Sequence, residues 1–220
     1  GMLFSGKPLG IVPSGSGNDF IKSLGIPNNI EQAVDIVLKG GTRVIDAGKI
    51  NGMYFANGVG IGFDAAVNRA SYEINHSKRG LWLYICALIQ TLGKYDPVPV
   101  RITINGAVME ETPFLLTIGN GTTCGGGFKL TPHAKVDDGL LDVTIVKPLG
   151  IPMLLWHLPK VFLGTIDKAT SYARLMRTAK LSVASAHPLP VHVDGEVFPG
   201  DGKTLEIEIV PGALTVIGNY

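Results

Sequence analysis

Cysteine is scarce in this sequence, with two residues among 220, Cys86 and Cys124. They form no Cys-x-x-Cys pair and no secretory leader is visible, so we expect neither a disulfide framework nor an oxidising compartment. Long apolar runs are missing too. The best candidate, residues 81–92, falls short of the roughly 18 residues that a membrane span requires. The expected localisation is therefore cytoplasmic.

An excess of one charge is also lacking. Nineteen Lys and Arg residues against 18 Asp and Glu residues leave a net charge of +1, so no overall field favours nucleic acid as a partner. The five histidines are scattered, without the spacing of metal ligands. Glycine is abundant instead, with 29 residues beside 14 prolines, and this composition predicts many turns.

Local patterns at the start of the chain predict a fragment of an α/β domain over residues 1–42. A short apolar strand at Leu9–Val12 leads into a helix near Asn18–Leu24, and the apolar spacing of Ile30–Leu38 predicts a second helix. One strand cannot form a sheet alone. We therefore expect the chain to begin partway through a larger protein.

The remainder of the chain predicts strands, which makes the fold class α+β. Residues 43–210 predict a mainly antiparallel, β-sandwich-like domain, with Asn-Gly hairpin turns at 51–52 and 105–106. Residues 211–220 predict a final strand that returns to the α/β fragment. Two apolar segments, 81–92 and 151–163, predict helices that are either plain core or, for the second, a membrane-surface segment.

The stretch LGIVPSGSGNDF places Gly15, Ser16 and Gly17 between an apolar strand and a helix. Glycines at such a point leave backbone N–H groups uncovered, which suits a phosphate group, although tight turns need glycine as well. Asn18 and Asp19 come next, where a helix cap and an acidic first turn are favoured for stability alone. The residues by themselves leave both interpretations open.

Two carboxylate motifs are candidates for chemistry. In HVDGEVF, Asp194 and Glu196 lie on one side if the segment is an extended strand, unless Gly195 makes a turn. In KVDDGLLDV, Asp138 precedes a glycine in a short loop that offers a cation both carboxylate and carbonyl oxygens. A solvated Asp-Gly turn is the alternative at both places.

Four segments, in the same order, resemble the diacylglycerol kinase catalytic family, the lipid kinases that include soluble bacterial enzymes and sphingosine kinases. They are PLGIVPSGSGNDF, FANGVGIGFDAAV, GGGFKLTPHAKVDDGLLDV and HVDGEVF. Ser16 stands where the family commonly has threonine. The family's Gly-Gly-Asp-Gly-Thr nucleotide loop, which lies upstream of the first segment, has no counterpart here. The resemblance therefore covers the C-terminal portion of a family member.

The resemblance implies ATP- and Mg²⁺-dependent phosphorylation of a lipid hydroxyl, with diacylglycerol converted to phosphatidic acid. Because the main phosphate-binding loop is absent, we expect the 220-residue chain to be inactive by itself. Two alternatives are a kinase for another lipid acceptor, such as a sphingoid base, and a non-catalytic lipid-binding or regulatory domain of the same fold.

The resemblance also implies roles for residues. Glu196 is expected to be the catalytic base with Asp194 beside it, and Asp138 with the carbonyls of Lys135 and Leu140 is expected to hold a structural Mg²⁺. The residues expected at the ATP phosphates and their Mg²⁺ are Gly15, Ser16, Gly17, Asn18 and Asp19.

The remaining expectations concern partners and two further polar residues. The expected partners are a diacylglycerol-like lipid and a membrane surface, which the segment with Trp156 and Lys160 contacts peripherally. Nucleic acid is not expected as a partner, and a homodimer is left open. Asn57 and Asp64 are interpreted as structural, the first at a strand corner and the second as a helix cap.

Overall fold

The computed structural model describes residues 1–15, 17–74 and 80–219. It contains two six-stranded sheets, in the orders β2-β1-β12-β9-β4-β5 and β11-β10-β3-β6-β7-β8. The strands are β1 (Thr42–Ile50), β2 (Met53–Phe55), β3 (Gly58–Gly62), β4 (Val100–Ile104), β5 (Ala107–Glu111), β6 (Leu115–Gly119), β7 (Leu141–Val146), β8 (Ala173–Thr178), β9 (Lys180–Ala184), β10 (Val191–Val193), β11 (Glu196–Val197) and β12 (Thr204–Ile217).

Helices lie before and between these strands. They are α1 (Phe20–Ser23), α2 (Ile30–Lys39), α3 (Phe63–Glu73), α4 (Gly80–Leu92) and α5 (Ile151–Leu163), with a 3₁₀ turn at Ile166–Lys168. None of these described helices has the length and apolarity needed to cross a membrane. The predicted helices over 81–92 and 151–163 are confirmed, and β8 is a strand that the sequence patterns did not indicate.

A sandwich core lies between the two sheets. Alternate residues of strands from both sheets are buried in one cluster, among them Ile61 of β3, Ile118 of β6 and Ile207 of β12. All pairings between the strands named above are antiparallel. The predicted α+β fold with an antiparallel, sandwich-like domain is confirmed.

Two-residue turns set the register of the hairpins. Asn51-Gly52 joins β1 to β2 and Asn105-Gly106 joins β4 to β5, as predicted. All four residues have positive φ, between 45° and 89°, the combination that tight hairpin turns require and that Asn and Gly adopt most easily. Local turn chemistry therefore fixes which strands are neighbours.

The N-terminal segment differs from its prediction. Leu9–Val12 is not a strand, because only Leu9 forms a bridge, in parallel with Val216 of β12. The helix predicted over Asn18–Leu24 is the four-residue α1. Apolar side chains of this segment pack with β1 and β12 in a separate cluster that includes Ile21 and Leu24.

The predicted domain limits remain predictions, but the strand pattern bears on their placement. Thr42 begins β1, and β12 runs unbroken across position 210, so residues 211–217 continue a strand that starts at Thr204. The first half of β12 pairs with β9 on one side and with the end of β1 on the other. The second half of β12 pairs with the start of β1.

Candidate active site

A cleft of about 440 Å³ lies on the outer face of the second sheet. Its lining includes the segment Gly17–Ile21, one face of α3, the turn between β10 and β11, the corner between β2 and β3, and residues from 117 to 131. The fold thus brings together the glycine segment at the start of the chain and the Asp-Gly-Glu motif near its end, as the resemblance implies.

The Asp-Gly-Glu motif forms a hairpin turn and not an extended strand. Val193 pairs with Glu196, so Asp194 and Gly195 are the two turn residues, and their φ values are 49° and 87°. This is the same turn chemistry as at the two Asn-Gly sites. Strand alternation would have placed Asp194 and Glu196 on one side, and that alternative is wrong because the intervening glycine turns the chain.

The Asp194 carboxylate binds backbone amides. Its Oδ2 accepts a hydrogen bond from Ala56 N–H at 2.7 Å, and its Oδ1 accepts from Asn57 and Gly58 N–H at 2.9 and 2.8 Å. Loss of solvent raises the pKa of the Asp194 carboxyl, and these three hydrogen bonds offset part of that shift. Asp194 therefore fastens the β10–β11 turn to the corner between β2 and β3.

Glu196 begins β11 at the rim of the cleft, and its side chain is exposed there. An exposed carboxylate at the mouth of a cleft can reach a hydroxyl group that enters it. The expected role of Glu196 as catalytic base stays a prediction. For Asp194, the geometry favours positioning of this turn, because both of its oxygens are already occupied by amides.

Helix α3 directs a polar stripe at the same turn. Asp64, Asn68 and Tyr72 follow one another at intervals of four and therefore share one helix face. Asn68 Nδ2 and the Tyr72 hydroxyl both donate to the carbonyl oxygen of Gly195 at 2.8 Å. The helix thus supports the turn from the side opposite to the Asp194 clamp.

His192 orients Asp64. Gly195 N–H donates to His192 Nδ1 at 3.4 Å, which assigns the ring proton to Nε2, and Nε2 lies 3.1 Å from Asp64 Oδ2. His192 therefore donates to the carboxylate through Nε2. Both side chains occupy the space that a Cβ at Gly60 would need, so the pair fits only because this β3 residue is glycine.

Asp19 is the acidic residue of the glycine segment that reaches the cleft. Its Oδ2 accepts from Gly126 N–H at 2.7 Å and its Oδ1 pairs with Lys22 at 2.8 Å. It occupies the N-cap position of α1 without making a cap hydrogen bond. The capping alternative therefore does not explain Asp19.

Gly15 and Asn18 of the glycine segment bond to each other. Asn18, with φ of 47°, accepts from Gly15 N–H at 3.0 Å. The Gly15 amide is thus occupied within the loop, whereas Gly17 and Asn18 line the cleft. Ser16 lies outside the described residues. The expected contacts of this segment with ATP stay a prediction.

The two carboxylates Asp19 and Asp64 act on a common neighbour. Burial raises the pKa of the Cys124 thiol well above its ordinary value, and the negative charges of Asp64 and Asp19 raise it further. Within the described ranges, no cluster of three or more His, Cys, Asp and Glu side chains is arranged to hold a metal ion. Mg²⁺ at nucleotide sites is bound by one or two carboxylates together with phosphate oxygens, a donor set that Asp19 and Asp64 fit.

The second predicted metal site lies away from the cleft. Asp138 Oδ1 accepts from Leu140 N–H at 3.1 Å, and Asp138 Oδ2 pairs with the guanidinium of Arg177. Arg177 also bonds Asp142 at 3.3 Å. A cation bound by Asp138 and the carbonyls of Lys135 and Leu140 would share its carboxylate with this arginine. That Mg²⁺ site stays a prediction.

Sequence reasoning missed part of the site. It interpreted Asp64 as a cap, but Gly62 is at the N-cap position and Asp64 faces His192. Asn68 and Tyr72 were not singled out, although their spacing from Asp64 is a readable signal. Asn57 holds the strand corner as predicted, since its Nδ2 donates to Thr123 O at 2.9 Å.

Comparison with known proteins identifies two families along the chain. Residues 57–218 match the YegS C-terminal NAD kinase beta sandwich-like domain, and residues 2–50 match the diacylglycerol kinase catalytic domain. The first match covers β3 to β12 and most of the cleft lining. The second covers the N-terminal segment and β1, which includes the glycine segment.

Individual relatives agree with these matches. A diacylglycerol kinase from Mycobacterium tuberculosis is 33% identical over 96% of this chain and 69% of its own length. A YegS-like lipid kinase homologue from Pseudomonas aeruginosa is 34% identical over 94% of this chain and 67% of its own length. The crystal structure of a diacylglycerol kinase from Bacillus anthracis str. Sterne matches with a TM-score of 0.70 at 27% identity, over 96% of this chain and 67% of that one. The chain, which spans about two thirds of the length of these relatives, belongs to the family of diacylglycerol kinases and YegS-like lipid kinases.

Proposed function

We propose that the chain supplies the acceptor side of an ATP- and Mg²⁺-dependent lipid kinase, with diacylglycerol as the acceptor. The observation that carries this proposal is the meeting of Glu196, Asp64 and Asp19 around one cleft. Phosphoryl transfer demands positioning and charge stabilisation more than covalent chemistry from the protein. A base at the rim and two oriented carboxylates within are suited to that task.

In the proposed reaction, Glu196 accepts the proton of the lipid hydroxyl. The hydroxyl oxygen forms a bond to the γ-phosphorus while the bond from that phosphorus to the β–γ bridging oxygen breaks, and ADP leaves with the electron pair. Asp19 and Asp64, held by Gly126 N–H and His192, would bind Mg²⁺. Charge stabilisation of the phosphates is the chemistry that such an ion would supply there.

A kinase assay on two forms of the protein tests this proposal. The 220-residue chain alone is expected to transfer no label from γ-labelled ATP to dioctanoylglycerol, because no Gly-Gly-Asp-Gly-Thr loop is present in it. The protein expressed from the complete reading frame is expected to form labelled phosphatidic acid.

The outcomes of that assay separate the alternatives. Label in a sphingoid base in place of diacylglycerol would change the acceptor but keep the kinase. No labelled lipid from the complete-frame protein would favour a lipid-binding domain without activity. Turnover by the 220-residue chain would contradict the expected requirement for the upstream loop.

Helix α5 is proposed as the peripheral membrane contact. None of its thirteen residues is buried, and Leu155, Trp156 and Leu163 are largely exposed, Trp156 to 75%. An apolar helix face with a tryptophan and a flanking lysine, here Lys160, is typical of segments that lie in the membrane interface.

The position of α5 links this contact to the cleft. The Phe162 ring of α5 packs on Phe128 with centroids 4.7 Å apart, and Lys129 N–H donates to Val161 O at 3.1 Å. Phe128 closes the loop that starts at Cys124, one of the cleft residues. Helix α5 therefore contacts the loop that borders the cleft.

Replacing Trp156 with Glu is expected to weaken binding of the 220-residue chain to phosphatidylcholine–phosphatidylglycerol vesicles by about tenfold or more. The reason is that a buried aromatic contributes about 1.5–3 kcal/mol, and 1.4 kcal/mol is a factor of ten. Vesicle co-sedimentation measures the effect. The matched control is Val108→Glu on β5, which is 61% exposed and should leave binding unchanged; equal binding by both variants would reject α5 as the contact.

A further inference from the structure

A glycine-rich strand, β3, lies at the cleft. In β3 the sequence GVGIG alternates, so that Val59 and Ile61 enter the sandwich core while Gly58, Gly60 and Gly62 face the opposite side. His192 and Asp64 lie over Gly60, in the space a side chain there would fill. The absence of side chains on these glycines therefore lets the carboxylate of Asp64 lie directly against the sheet.

Thr117 is a polar side chain on the neighbouring strand β6. It pairs with Gly60 across β6 and β3, so its side chain points to the same face of the sheet, and it lines the cleft. Thr117 is 4% exposed, and its Oγ1 has no hydrogen-bond partner within the described structure. Buried hydroxyls are normally hydrogen-bonded, because an unpaired one retains its desolvation cost.

The neighbouring threonine in the same row shows the ordinary case. Thr144 pairs with Thr117 across β7 and β6, and its Oγ1 donates to Leu130 O at 2.6 Å. Thr144 is not among the residues that line the cleft. The hydroxyl without a partner therefore belongs to Thr117, which lines the cleft. Thr144, which does not line the cleft, has a hydrogen-bonded hydroxyl.

Two asparagines of the cleft have the same deficit. Asn57 and Asn68 each donate through Nδ2, to Thr123 O and Gly195 O, but their buried Oδ1 atoms have no partner among the described residues. Together with Thr117 they are three buried oxygens without partners at one cavity. All three can accept a hydrogen bond, and Thr117 can also donate one.

The charges around the cleft restrict what can bind there. Its described lining includes four carboxylates, those of Asp19, Asp64, Asp194 and Glu196, and no lysine or arginine. These carboxylates would repel a negatively charged group of a ligand unless a cation bound with it. A small uncharged group with hydroxyl and carbonyl oxygens meets no such penalty.

We propose that Thr117 anchors a subsite for the glyceryl head of the acceptor lipid, in the part of the cleft lined by Gly58 and Asp64. This inference rests on the proposed lipid kinase function and adds to it the residue that binds the acceptor. The Thr117 hydroxyl donates to an ester carbonyl or accepts from the free hydroxyl of the lipid.

The test compares Thr117→Val with Thr144→Val in the 220-residue chain. Titration calorimetry with dihexanoylglycerol, used below its micelle concentration, gives the dissociation constant, and thermal unfolding gives Tm. Thr117→Val is expected to weaken binding by about five- to tenfold, the range that a single hydrogen bond supplies, and its Tm should not fall. Thr144→Val should lower Tm, because Leu130 O loses its partner, while binding stays unchanged.

The outcomes distinguish this subsite from the kinase proposal. Equal affinity of wild type and Thr117→Val for dihexanoylglycerol would overturn the subsite, and so would a loss of Tm as large as that of Thr144→Val. Absence of any binding by the wild-type chain would also overturn it. In each case the labelling assay on the complete-frame protein decides separately whether the kinase function stands.

Discussion

Replacing Glu196 with Gln in the kinase-active protein is expected to lower kcat by about 10²- to 10⁴-fold, the range that a positioned general base contributes. Glutamine keeps the size and hydrogen-bonding reach of the side chain but cannot accept the proton of the lipid hydroxyl. KM for ATP should change little, because Glu196 lies at the rim of the cleft, on the turn held by Asp194. Steady-state kinetics with dioctanoylglycerol measures both parameters.

A surface glutamate gives the matched control. Glu110 on β5 pairs with Arg101 at 2.7 Å, with both side chains well exposed. Glu110→Gln removes the same charge away from the cleft and should leave kcat unchanged, and both variants should unfold at the wild-type temperature. Wild-type kcat in Glu196→Gln would mean that the Asp-Gly-Glu motif is a solvated hairpin, the alternative that the residues alone left open.

Features that depend on neighbouring residues were predictable from the sequence. Asn51-Gly52 and Asn105-Gly106 have the positive φ that their turns demand, and helix α2 follows its apolar spacing. In these places the local backbone preference and the final fold agree, so a short window of sequence contains the information.

The features that were mispredicted depend on contacts between distant parts of the chain. Leu9 finds its partner at Val216, and His192 meets Asp64 across 128 positions, so no local pattern could indicate either contact. The turn at Asp194-Gly195 is an intermediate case. Its Asp-Gly pair resembles the two Asn-Gly turns, but the three amides that bind Asp194 come from the β2–β3 corner.

Asp194→Ala is expected to reduce the free energy of unfolding of the 220-residue chain by about 2–3 kcal/mol. The substitution removes the charged acceptor of three backbone N–H groups on half-buried residues, and hydrogen bonds to a charged group contribute about 1.5–3 kcal/mol. Alanine also tolerates the positive φ of this position less well than aspartate. Urea unfolding followed by circular dichroism measures the change.

Two further variants separate the clamp from the loss of a charge. Asp194→Asn keeps an acceptor for Asn57 and Gly58 but turns its amide group toward the Ala56 N–H, so about half of the loss is expected. Asp201→Ala removes a carboxylate that accepts one amide, from Lys203, at an exposed turn, and should cost under about 1 kcal/mol. If Asp194→Ala costs no more than Asp201→Ala, the clamp does not hold the corner. Because the turn that Asp194 holds also positions Glu196, Asp194→Asn should lower kcat in the complete-frame protein while leaving it folded.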